Sequence, residues 1–138
     1  MRPILILLII ALAACSRPPP EEQLLAVIDD IELMLEARRP GDALDFVAED
    51  FSGNGYLDKR QLHSFLVQLF FRHKQVEIIV TDLGIVADTT DDSRFYMEAS
   101  AILLGGKNIA PDSARAYRLR GLWRRDDGDW LLVSLAWE

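Results

Sequence analysis

Residues Asp50 to Gln61, "DFSGNGYLDKRQ", carry oxygen ligands at the spacing of a metal-binding loop. Spaced as a calcium-chelating loop, Asp50, Ser52 and Asn54 occupy the first three alternating positions. Gly55 falls at the obligatory turn, Tyr56 supplies a carbonyl, and Asp58 takes the ninth position. The pattern breaks at the twelfth position. There Gln61 offers one neutral oxygen where a bidentate glutamate is wanted, and no second loop of this kind occurs. The same residues fit a purely structural job. Gly53, Asn54 and Gly55 permit a sharp turn, and Asp58 with Gln61 three residues later makes a capping box for a helix. The structural reading is preferred. A weak calcium site through Asp50, Ser52, Asn54 and Asp58 is kept as an alternative, and no other metal or cofactor is expected.

Other chemistry is sparse. His63 and His73 are ten residues apart, which is not a metal-ligand spacing. No Ser-His-Asp arrangement, phosphate loop or dinucleotide glycine motif occurs. His63 is expected on a partly exposed helix face, and His73 near the last carbonyls of that helix. Arg118, Arg120 and Arg124 share one strand face, by default a solvated row. If the preceding hairpin centres on "GGKN", Glu98 lies across from Arg120 as a cross-strand ion pair.

These residues sit on readable elements. "EEQLLAVIDDIELMLEARR" has an amphipathic stripe of Leu24, Val27, Ile28, Ile31 and Leu35, with Arg38 and Arg39 placed to complement its C-terminal dipole before Pro40-Gly41. "DALDFVAED" reads as a short second helix with Asp42 near its cap. "DKRQLHSFLVQLFFRHK" is a third, with Leu62, Phe65, Leu66, Leu69 and Phe70 at helical spacing. From Gln75 the pattern becomes strand-like. Phe95, Met97, Ala99 and Ala101 alternate with polar residues; Tyr117, Leu119 and Trp123 oppose the arginines; "DDGD" marks a hairpin before "WLLVSLAW". That last strand is apolar at both parities, which calls for cover on both faces or an interface. The expectation is α+β: three N-terminal helices packed on a curved antiparallel sheet of about four strands.

The N-terminus locates the chain. After Arg2, Ile4 to Ala14 is an apolar run of 11 residues, too short to cross a bilayer as a helix. It ends in "LAAC", which resembles a bacterial lipoprotein signal. That resemblance implies residues 1–14 as signal peptide and acylation, palmitate included, of Cys15, the sole cysteine. With Ser16 following, it also implies an outer-membrane anchor facing the periplasm. Residues 15–22 then form a lipidated, proline-rich spacer, and 23–138 the domain. Without Arg2, 14 basic residues face 22 acidic ones, a net charge of −8. So acidic a domain excludes nucleic acid as a partner.

The leading "LLAVIDDIELMLEARRPGDALDFVAEDF" and the closing "GLWRRDDGDWLLVSLAW" resemble the nuclear transport factor 2-like superfamily, with its SnoaL-like and ketosteroid-isomerase-like domains. The resemblance spans Glu21 to Glu138. It implies a cone-shaped cavity between helices and sheet, with Tyr56, His63, Tyr96, Glu98, Tyr117 and Ser134 as candidate polar lining. None of these maps onto a catalytic motif. The family's pair of short strands before the third helix is expected to shrink to an irregular corner at Phe51 to Leu57. The resemblance also implies a homodimer through the sheet. The functional expectation is a lipid-anchored, non-catalytic periplasmic domain that binds a small apolar ligand or a protein partner. An isomerase- or cyclase-type enzyme and a weak calcium binder are the alternatives.

Overall fold

The computed structural model describes residues 17–106 and 113–138. The expectations for Cys15, Ser16 and most of the "GGKNIAPD" loop fall outside them. Three helices precede or interrupt a five-stranded sheet: α1 (Pro20–Glu36), α2 (Pro40–Leu44), β1 (Val47–Gly53), α3 (Lys59–Arg72), β2 (Gln75–Ala87), β3 (Arg94–Gly106), β4 (Ser113–Asp126) and β5 (Asp129–Trp137). The sheet order is β1-β5-β4-β3-β2. Every pair is antiparallel except β1 with β5.

The α+β reading holds, with local corrections. Pro20 already stands in the first helical turn, so α1 begins one residue before the expected Glu21. A proline is tolerated there because its missing N–H has no helical acceptor. The second helix stops at Leu44, Asp42 lies within its first turn, and its N-cap is Arg39. Val47 to Gly53 form a strand where a helix and then an irregular corner were expected. Residues 47–51 have apolar groups at positions fitting either period, and only pairing with β5 decides between them.

The helix ends show how the layers are fastened. α1 finishes with Arg38 in the left-handed region, at φ 62°. Arg38 N donates to Leu35 O and Arg39 N to Met34 O, the Schellman pattern. The Arg38 side chain does not serve its own helix. Its guanidinium donates to the carbonyls of Phe70, His73 (2.6 Å) and Lys74 (2.8 Å), and lies 5.5 Å from the Phe70 ring centroid. It therefore caps the C-terminus of α3 from across the molecule. The N-terminus of α3 has the capping box read from the sequence: Gln61 N donates to Asp58 Oδ1 at 2.8 Å, and Asp58 N to Gln61 Oε1 at 2.9 Å.

The sheet keeps its apolar side towards the helices through two bulges. In β2, Thr81 pairs with Ser100 and Gly84 with Glu98, so Asp82 and Leu83 face the single residue Ala99. Asp82 is left-handed, at φ 53°. In β5, Leu132 pairs with Trp123 and Ser134 with Leu122, which leaves Val133 unpaired with β4. Each extra residue reverses the alternation. Val76, Ile78 and Val80 lie on the helix side before the first bulge, and Leu83 and Ile85 after it. Trp130 and Leu132 do so before the second bulge, and Leu135 and Trp137 after it. The double parity of "WLLVSLAW" thus comes from one strand that changes phase. Leu135 faces inward and is not a residue of the sheet's outer face.

The innermost core is Leu24, Phe51, Phe95, Trp123 and Trp130, with Phe95 edge-on to Trp130 at 5.1 Å between centroids. The β4–β5 hairpin turns on Asp127 and Gly128, both at positive φ as a type I′ turn demands. Replacing Asp58 by alanine removes half of the capping box. It is expected to lower stability by about 1 kcal/mol, seen as an earlier urea midpoint with an unchanged m-value.

Candidate ligand-binding site

Between the helices and the concave sheet face lies a cavity of about 220 Å³. Its walls are Ile28, Ile31 and Leu35 of α1, Leu62 and Leu66 of α3, and Met97, Leu119 and Trp123 of the sheet. A second space of about 170 Å³ shares Leu35, Leu62, Leu66, Ile78, Leu119 and Leu135 with it, so the two form one trough. Towards the open end of the sheet, Phe65, Leu69, Val76, Leu103 and Tyr117 carry the trough into a wider mouth of about 370 Å³. Small side chains keep the space open. Ala99 and Ala101 project into it from β3, where a larger residue would fill it.

The wall of the inner cavity is apolar except at one residue. Among the described residues, Glu32 is the one ionisable side chain lining the inner cavity. Burial raises its carboxyl above the ordinary value, and the nearby charges of Asp29 and Glu36 add to this. The indole N–H groups of Trp123 and Trp130 are buried without a hydrogen-bond partner among the described residues.

Of the six polar residues expected to line the cone, the structure places only Tyr117 there, half-buried at the neck. Tyr56 is 71% exposed at the tip of the β1–α3 turn. His63 is exposed on α3. Tyr96, Glu98 and Ser134 have the parity of the outer sheet face. There Tyr96 and Ser134 border a shallow depression with Arg120. The Tyr96 hydroxyl donates to Asp88 at 3.1 Å. Asp88 also accepts from the backbone and hydroxyl of Thr90, and these bonds hold its carboxyl down at about 2. Glu98 pairs in register with Arg120, as read from the sequence, at 3.9 Å. The arginine row is partnered throughout: Arg118 with Glu138, and Arg124 with Asp126 and Asp50. His73 does not serve the last carbonyls of α3 through its side chain, since Arg38 takes them.

The oxygen-rich loop has other employment. Asp50 pairs with Arg124 at 3.4 Å, and Asp58 caps α3. Asn54, left-handed at φ 49°, accepts from Trp137 N at 2.7 Å and donates its own N–H to Leu135 O. Gly53 lets the Trp137 ring lie against the backbone, since a Cβ there would meet it at 3.1 Å. The stretch is a clasp between the ends of β1 and β5.

Sequence reasoning missed Glu32. It lies four residues after Ile28 and three before Leu35, so it shares the apolar stripe of α1. A lone acid inside that stripe was the available signal. The acidic "DDIELMLE" around it masked the anomaly.

No protein-family model matches the chain, and no curated protein matches it in sequence. Solved structures do match in fold. Aln2 from a Streptomyces species superposes with a TM-score of 0.76 at 11% identity, over 89% of this chain and 93% of that one. A putative scytalone dehydratase from Novosphingobium aromaticivorans gives 0.65 at 12%, over 86% and 82%. Bd1075 of Bdellovibrio bacteriovorus gives 0.71 at 10%; 85% of this chain is covered but it spans only 40% of Bd1075. With the helices on a five-stranded curved sheet, these likenesses establish a nuclear transport factor 2-like fold.

Two outcomes follow from this geometry. Because the Glu32 carboxyl titrates above its ordinary 4.5, its contribution to stability is complete below that pH and is lost as pH rises through the folded value. Glu32→Gln should therefore melt with the wild type in acid and progressively above it towards neutral pH, in paired thermal scans. Wild-type melting is expected to be the same in millimolar calcium and in chelator; a rise of several degrees with calcium would restore the metal reading of Asp50, Ser52, Asn54 and Asp58.

Proposed function

We propose that this chain is a lipid-anchored envelope protein whose cone holds a small apolar ligand without transforming it. One observation carries the reading: an open trough walled by Leu, Ile, Val, Met, Phe and Trp, with a single ionisable group along its inner part among the described residues. Unfilled apolar space costs contacts on every wall. A site of this composition selects by shape and desolvation, and specific polar groups orient the guest. Glu32 in the inner cavity and Tyr117 at the neck are the polar side chains available for orientation. The inner cavity is small beside pockets for drug-sized molecules, which favours a compact or slender guest. The anchor on Cys15 and the short extended segment before Pro20 would hold such a module near the membrane, at the periplasmic face of the outer membrane.

A second reading, isomerase- or cyclase-type chemistry, draws on Glu32 alone. A partly desolvated carboxylate with a raised pKa is a suitable general base. Its test is deuterium uptake by a small cyclic ketone in D2O, followed by NMR. Exchange accelerated by the wild type and abolished in Glu32→Gln would replace binding with catalysis.

The binding reading is tested with the neutral dye N-phenylnaphthylamine, whose emission rises in apolar sites. Saturable enhancement at one dye per chain is expected, and Ala99→Leu should weaken it at least about tenfold by filling the space while leaving the melting temperature near or above that of the wild type. No saturable binding, or binding indifferent to Ala99→Leu, would overturn it.

A further inference from the structure

The mouth of the trough differs from its interior in one respect. Arg72, His73 and Arg115 stand around it, and among the described residues no aspartate or glutamate lines it. The chain as a whole carries a net charge of −7, so a basic cluster without acids runs against its composition. On the outer sheet face, by contrast, Arg118, Arg120 and Arg124 each have a carboxylate partner. Among the described residues, Arg72 and Arg115 have no ion pair.

Arg72 stands in the last turn of α3 but, among the described residues, its side chain makes no hydrogen bond to the end of that helix. The guanidinium that donates to the carbonyls at this helix end, those of Phe70, His73 and Lys74, is Arg38. The His73 ring is set by packing. It rests on Gly105 of β3, where an added Cβ would come within 2.8 Å of Nδ1. Directly inside this basic rim begin Phe65, Leu69, Val76, Leu103 and Tyr117, which belong to the mouth and to the trough alike.

We infer that the ligand is a single-chain amphiphile: an apolar tail in the trough and an anionic head, carboxylate or phosphate monoester, at the Arg72–His73–Arg115 rim. The inference rests on the binding function proposed above and adds the class of ligand. Guanidinium groups give charge-assisted hydrogen bonds to either head, and the adjoining low-dielectric wall strengthens them. The continuous apolar path behind the rim accepts an unbranched tail and gives no charged partner to a second polar group until Glu32.

The test uses the full-length chain and measures displacement of N-phenylnaphthylamine by decanoate, decyl phosphate and decanol, which share a tail and differ in the head. Decanoate or decyl phosphate is expected to displace the dye at least about tenfold more tightly than decanol, and the stronger of the two identifies the head. In Arg72→Gln/Arg115→Gln that preference should fall to within about twofold, with dye affinity unchanged. Equal displacement by the anions and decanol, or a preference that survives the double variant, overturns the basic rim while leaving the apolar site intact. Failure of the dye itself to bind overturns both.

Discussion

The phase of the sheet governs everything else in this molecule. A strand buries alternate residues, so one inserted residue exchanges its two faces. β2 and β5 each contain such an insertion, at Asp82 and at Val133, and in each the apolar pattern changes parity at the same place. The two changes coincide in effect. Without the second, Leu135 and Trp137 would leave the helix side, and the trough would lose the wall opposite Leu62 and Leu66. Bulges also bend and twist the strands that carry them. A sheet bent at both β2 and β5 curves away from the helices in its middle, and that curvature leaves space where a flat sheet would pack.

The edges of the sheet complete the enclosure. β1 reaches β5 through an irregular register: Ala48 to Phe51 intervene where β5 has only Val133. Ala48 and Phe51 turn inward and are buried, while Glu49 and Asp50 turn out to Lys59 and Arg124. The clasp of Asn54 on Trp137 then fixes the end of β5. At the other side of the cone, Arg38 ties α1 to the end of α3. Both fastenings are polar contacts at the periphery, so the cavity between them needs no polar group of its own. Among the described residues, no polar or charged residue is fully buried.

An apolar interior with charge at its opening separates two tasks. In the proposed function the trough would supply affinity through desolvation, which is indifferent to direction. The rim would supply orientation to an anionic head, because charge-assisted hydrogen bonds have geometry. One of the fold relatives carries an enzyme name, and at 10–12% identity they speak to architecture alone. Function has to be argued from the site.

Much was legible in the amino-acid order. Helical spacing marked the α1 and α3 stripes, and the five α3 residues named from it all line the trough. Strict alternation marked β3 and β4, and with it the Glu98–Arg120 register. Asp58 and Gln61 announced their capping box, because a cap is a contact between near neighbours. The tertiary structure alone decided the rest, because those choices depend on residues far apart in sequence. Val47–Gly53 became a strand by pairing with β5. The double parity of β5 became a bulge against β4. Five of six expected lining residues went elsewhere, since a polar residue's face is set by the sheet's phase and not by its own chemistry. Glu32, Arg72, His73 and Arg115 acquired significance only from the cavity they border. A cavity is a gap between elements, and a gap leaves no local signature in sequence.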